Sequence, residues 1–220
     1  MHPTPIIPKF DPSLVYDPAE DSFLLLDAIE ADLSTIEKTQ PRICMEIGSG
    51  SGCVITFLAQ VLKKLSMSPL FIATDINSHS CKATQRTLAH NRISHSAVIN
   101  TTLAQSLEHS LYSSVDVLLF NPPYVPTDTD CEPEKTPLSA AWAGGDRGTE
   151  NIDKVIKTAT ALLSKRGVFY LVVLEQNGLD RVRAMYRKEG FESETILSRR
   201  AGSESLHVVR FRKQKTKAPL

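Results

Sequence analysis

Short, largely apolar runs alternate along this chain with stretches whose apolar residues recur every three or four positions. The run Ile43-Cys44-Met45-Glu46-Ile47 predicts a buried strand, and Val54, Phe57, Leu58, Val61, Leu62 and Leu65 after it have helical spacing. A second strand is expected from Pro69 to Asp75 and a helix from about Ser78 to Asn91, followed by strands at Ala97–Asn100 and Val115–Phe120. Thr149 to about Leu163 reads as a helix and Gly167 to Leu174 as a strongly apolar strand. Leu179 to Glu189 reads as a helix closed by Gly190. Phe191–Leu197 and Leu206–Phe211 are the last two strands, separated by Ser203-Glu204-Ser205.

Ahead of these units, Phe23, Leu24, Leu26, Ile29 and Leu33 mark a helix from Ala19 to about Leu33, with Asp17 as its cap and Pro18 in its first turn. Residues 1 to about 15 carry four prolines and read as an extended arm. The β-α alternation implies an α/β fold with a parallel, doubly wound sheet and right-handed crossovers, and the close strand pair at the end adds one antiparallel strand. One domain over residues 16–211 is expected, followed by a basic tail, 212–220, that begins Arg212-Lys213-Gln214-Lys215.

Composition narrows the class. At 220 residues there is room for one sizeable core but little for a separate recognition domain. Twenty-five basic residues balance 25 acidic ones, which argues against the cationic footprint of duplex nucleic-acid binding. The four cysteines lack C-x-x-C spacing, and the one close histidine pair, His90 and His95, has no cysteine or carboxylate beside it, so no metal is expected. No apolar run approaches a membrane span and the amino terminus lacks a leader pattern, so a cytosolic or nuclear chain with no membrane role is expected.

Three constellations carry chemistry. Asn121-Pro122-Pro123-Tyr124 follows an apolar strand directly. The Asn121 side-chain oxygen and the Pro122 carbonyl are two acceptors suited to the two N–H bonds of a planar amide or exocyclic amine. Two prolines stiffen the backbone, and Tyr124 offers a face on which a flat group stacks. A delocalised nitrogen is a poor nucleophile, so rate must come from orientation. A proline-rich turn with Asn121 as a turn residue is the plainer alternative.

Upstream, Glu46 ends a strand and Gly48-Ser49-Gly50-Ser51-Gly52 opens a helix. Glycines let the chain pass close to a ligand, and helix-start amides point at it. The spacing E-x-G-x-G-x-G differs from the dinucleotide fingerprint, and Glu46 suits a ligand with a cationic amino-acid end. Asp75 then ends the second strand, where an acid grips ribose hydroxyls in nucleoside-binding folds. Its structural alternative is an N-cap for the helix from Ser78.

Together these residues resemble class I S-adenosylmethionine-dependent methyltransferases. Tyr16-Asp17-Pro18-Ala19-Glu20-Asp21-Ser22 and Ala140-Ala141-Trp142-Ala143-Gly144-Gly145 resemble signatures of the eukaryotic and archaeal HemK-like branch. That resemblance implies a seven-stranded Rossmann-like sheet, and methylation of the glutamine N5 in the Gly-Gly-Gln motif of a class 1 translation termination factor. It further implies a small zinc-binding activator as heterodimer partner. It places Ser22, Glu46, Gly48, Gly50, Gly52, Asp75, Ile76, Thr102, Leu103 and Asn121 against the cofactor, and Asn121, Pro122, Tyr124 and Trp142 against the substrate. Glu20 and Asp21 either complement the helix start or face the cofactor. Relatives usually carry an acid where Thr102 stands, next to the adenine, and a hydroxyl is a weaker acceptor there. Asp128 to about Ser139 reads as an acidic loop over the site. Adenine N6 methylation of DNA or RNA would use the same four residues, and a duplex base must also be flipped out. Lysine methylation needs deprotonation more than planar clamping. A non-catalytic scaffold is disfavoured by the intact Asn121 and glycine motifs.

Overall fold

A computed structural model describes residues 2–123, 150–202 and 204–214. Seven strands form one sheet: β1 Ile43–Ile47, β2 Leu70–Asp75, β3 Ser96–Asn100, β4 Val115–Phe120, β5 Leu163–Leu174, β6 Phe191–Ala201 and β7 Glu204–Lys213. Their spatial order is β3-β2-β1-β4-β5-β7-β6. β1 to β5 pair in parallel, and β7 runs antiparallel to both neighbours. The expected seven-stranded sheet with one antiparallel strand is therefore present.

Alternating side chains of the central strands feed two cores. Cys44, Val117, Leu119, Tyr170 and Val172 pack with α1 (Glu20–Ala31), α2 (Leu33–Thr39), α3 (Cys53–Lys64) and α4 (Ser78–His90). Met45, Leu118, Phe169, Leu171 and Val209 pack on the other face with α5 (Glu150–Leu162) and α6 (Leu179–Lys188). Burial on both faces explains why these strands read as nearly continuous apolar runs.

Several boundaries differ from the sequence reading. α1 begins at Glu20 with Ala19 as its uncapped start, not at Asp17 and Pro18. Pro18 biases Asp17 toward extended backbone, which delays the helix. The helix also stops at Ala31, and a separate α2 follows that the sequence reading did not foresee. Only Ile36 and Thr39 of α2 are buried, too few to mark a period. The hairpin strands β6 and β7 are longer than expected, and β7 takes two residues from the expected tail. Arg212 pairs with Glu192 on β6 at 2.5 Å, and the Lys213 ammonium donates to the Leu163 carbonyl at 2.6 Å.

The amino-terminal segment is pinned rather than free. The Ile6 N–H donates to Asn91 Oδ1 at 3.1 Å, and Asn91 Nδ2 donates to the Ile6 carbonyl at 2.7 Å. At its end the Asp11 carboxylate accepts from the Ser13 N–H and the Asp11 carbonyl from the Leu14 N–H. Residues 11–15 thus form a turn that seats Val15 in the interior. Among the described residues no helix is long and apolar enough to cross a membrane, and no cluster of three or more His, Cys, Asp or Glu could hold a metal.

Candidate active site

The carboxyl ends of β1, β2 and β4 converge on a cleft of about 1230 Å³. Crevices beyond the strand ends are where open parallel sheets bind ligands. The volume exceeds the range of about 300–1,000 Å³ typical for one small ligand, leaving room for a second group.

At the end of β1, Glu46 is 2% exposed, and its Oε2 accepts the Ile55 N–H of α3 at 2.9 Å. Burial holds its carboxyl well above the usual carboxylate range, and the nearby Asp75 charge adds to the shift. The turn after it runs through positive φ at Gly48 (65°) and Gly50 (53°), conformations that glycine adopts without strain. A side chain at Gly50 would meet nothing within 4 Å, so the backbone there borders open cleft. Gly52 differs: a Cβ on it would lie 2.8 Å from the Thr84 Cα, and Gly52 does not line the cleft. The structure thus gives Gly52 a packing role between α3 and α4, while Gly48 and Gly50 line the cleft.

Asp75 ends β2 with both oxygens engaged. Oδ2 accepts the Gly50 N–H at 2.9 Å and Oδ1 the Asn77 N–H at 2.8 Å. Burial raises its carboxyl above the usual range against the pull of these bonds. It is not the cap of α4. Asn77 takes that role, accepting the His79 N–H at 2.9 Å. With the capping alternative gone, Asp75 faces the cleft, where four lone-pair positions leave capacity for further donors. Ile76 beside it is 59% exposed and lines the cleft, an apolar surface with no core to join. Thr102 and Leu103 line the same cleft, and Leu103 has a φ of 50°, unusual for a branched residue. Ser22 is buried and lines it as well.

Asn121 follows β4. Its Nδ2 donates to Asp21 Oδ2 at 3.0 Å, and because a carboxylate only accepts, this bond fixes which way the amide points. The Asn121 Oδ1 is buried with no hydrogen-bond partner among the described residues. Pro122 and Pro123 line the cleft beside it. Tyr124, Trp142 and the loop expected from Asp128 to Ser139 lie outside the described residues.

Sequence reasoning left Glu20 and Asp21 undecided, and the structure separates them. Glu20 points to the surface toward Arg199, whereas Asp21 is 4% exposed and bound to Asn121. Asn77 and Tyr16 line the cleft too and were given no role from sequence. The Asn77 side chain is tied to the Leu14 carbonyl at 2.7 Å. Glu108 is a further acid on the cleft wall, accepting from the Thr158 hydroxyl at 2.6 Å. Asp21, Asn77 and Glu108 are not marked locally in the sequence, because each is tied to a partner 50 or more residues away.

The sheet order, the glycine turn and the acid-tipped β2 define a class I methyltransferase. No protein-family model matches the chain. It is 42% identical over 199 residues to "Methyltransferase HEMK2" of Homo sapiens, covering 90% of both chains. It is 35% identical over 206 residues to the "eRF1 methyltransferase catalytic subunit mtq2" of Schizosaccharomyces pombe, covering 89% of this chain and 88% of that one. Among solved structures it resembles the E. cuniculi Mtq2-Trm112 complex responsible for methylation of the eRF1 translation termination factor. There the TM-score is 0.65 at 26% identity, covering 91% of this chain and 99% of that one. The chain belongs to the HEMK2/Mtq2 family of methyltransferases.

Proposed function

We propose that the chain methylates the side-chain amide nitrogen of the glutamine in the Gly-Gly-Gln motif of a class 1 translation termination factor, using S-adenosylmethionine. The observation that carries this reading is the Asn121 amide. Its nitrogen is held by Asp21 while its buried oxygen has no partner among the described residues. A buried acceptor without a donor is costly, and an incoming –NH2 removes that cost. The names of the relatives support the choice of a protein amide over a nucleobase.

The cleft fits the cofactor. Glu46 matches its ammonium end, the open backbone at Gly50 and the acid Asp75 match its ribose, and Ile76 and Leu103 match a flat base. When bound, it supplies a methyl group activated on a sulfonium. Asn121 Oδ1 and the Pro122 carbonyl would accept hydrogen bonds from the two amide N–H groups and hold the glutamine plane toward the donor, so that the nitrogen takes the methyl group and gives up one proton to water without a strong base. Tyr124 and Trp142 are assigned as further walls of the glutamine pocket. No metal is assigned to this chemistry, because the step needs orientation and the leaving group is already activated.

A small zinc-binding activator is the proposed partner, seated on the free edge of β3. That strand pairs only with β2 among the described strands. The arm is bonded to Glu30, Asn91 and Asn77 rather than to β3. Any zinc of the assembly belongs to the partner. Co-expression should raise solubility and cofactor affinity, and a fully active monomer indifferent to the activator would overturn the assignment.

Labelled cofactor should be offered in parallel with a termination factor, ribosomal RNA, DNA and histone, and the products read by mass spectrometry. One methyl group on the Gly-Gly-Gln glutamine is expected. Label confined to nucleic acid or to a lysine would reject the reading.

A further inference from the structure

We propose that Tyr16 is a positioning residue for the methyl-transfer step, acting through Asp21 to hold the Asn121 amide in its acceptor-forward orientation. The inference rests on the reading of Asn121 as the group that receives the substrate amide. Asn121 is bonded to Asp21 Oδ2, and Asp21 in turn receives the Tyr16 hydroxyl on both oxygens at 3.3 Å. Asp21 Oδ1 also accepts the Ser22 N–H at 2.6 Å. The carboxylate is thus gripped from two sides before it reaches Asn121.

The need for such a grip follows from the chemistry of the amide. The terminal torsion of asparagine is broad and roughly two-fold, so nothing intrinsic to Asn121 prefers oxygen over nitrogen toward the cleft. A flipped Asn121 would present two donors to a substrate amine that is itself a donor. Asp21 forbids the flip because a carboxylate cannot donate. A carboxylate free to rotate would hold the amide less firmly, and the Tyr16 hydroxyl opposes that rotation.

Tyr16 is itself fixed from the cofactor side. Val15 beside it is buried, and the Leu14 carbonyl accepts Asn77 Nδ2 at 2.7 Å. Asn77 donates its backbone N–H to Asp75. Residues 14–16 therefore bridge the acid at the end of β2 to the amide at the end of β4. The end of the extended arm and the first residue of the domain join the two halves of the site.

The test uses the full-length chain in complex with its activator. Tyr16→Phe keeps the ring and removes only the hydroxyl. It should lower kcat roughly three- to tenfold, the effect of losing one moderate hydrogen bond to a charged group, with KM for the termination factor within about twofold. Asp21→Ala should lower kcat further, and adding Tyr16→Phe to it should cost nothing more, because the hydroxyl acts only through the carboxylate. Full additivity of the two changes, or an unchanged kcat in Tyr16→Phe, would overturn the proposal. A second readout needs no substrate. The side-chain amide signal of Asn121 in a 15N-asparagine-labelled sample should move in both variants, and a signal unmoved by Tyr16→Phe would overturn the relay. Should the wild-type complex leave the termination factor unmethylated, the functional reading falls and the amide signal alone decides the relay.

Discussion

The two halves of the cleft are built differently. At the ends of β1 and β2 the acids Glu46 and Asp75 are each tied to backbone N–H groups, from Ile55, Gly50 and Asn77, that lie within 25 residues along the chain. At the end of β4 the organising partner of Asn121 is 100 residues away, and its oxygen has no partner among the described residues. The first half is finished by its own backbone. The second is finished only when a donor arrives. If the first half holds the cofactor and the second the substrate amide, acids anchored before binding and an acceptor that awaits its donor would divide affinity from turnover between them.

The largest expected effect lies in the unfinished half. Asn121→Ala should lower single-turnover rates by about two to four orders of magnitude, roughly 3–5 kcal/mol, while cofactor affinity measured by calorimetry changes little. A rate within about tenfold of wild type would erase the contrast. Next, Asp75→Ala should weaken cofactor binding by about 2–5 kcal/mol through two lost charge-assisted bonds, read by the same calorimetry. Wild-type affinity in that variant would sink its ribose assignment.

Gly52→Ala separates packing from binding within the finished half. Its Cβ would press on the Thr84 backbone from a φ of 79°, so a stability loss of about 1–3 kcal/mol is expected in denaturant titration. Cofactor affinity per folded molecule should be retained, since Gly52 borders no cleft.

The smallest effect tests Glu46, whose carboxyl burial holds well above the usual range. A raised value means that the folded chain binds the proton more tightly than the unfolded one. The contribution to stability is then full below the ordinary value of about 4.3 and declines as pH climbs through the raised value. Glu46→Gln should therefore stabilise the cofactor-free chain at neutral pH, with the gain vanishing below about pH 4. Cofactor affinity should fall in the same variant. A variant less stable than wild type at neutral pH would show that the charge is well satisfied without ligand.

How much was legible follows the same division. Glu46, the glycines at 48 and 50 and Asp75 stand at strand ends in runs of apolar residues, so contiguous sequence shows both the element and the tip. Asn121 was equally visible. Its tie to Asp21 was not, because a helix-start acid and a buried orienting acid look alike until a sheet brings residues 21 and 121 together. The packing role of Gly52 was hidden for a related reason: only the approach of α4 shows that its missing side chain makes room for Thr84.

The most direct test of the central claim is a structure of the complex with the demethylated cofactor product and a Gly-Gly-Gln peptide. The glutamine –NH2 should lie about 2.7–3.2 Å from Asn121 Oδ1, with Asn121 Nδ2 still on Asp21. A glutamine amide bound elsewhere, with Asn121 Oδ1 occupied by a group of the protein, would contradict the account.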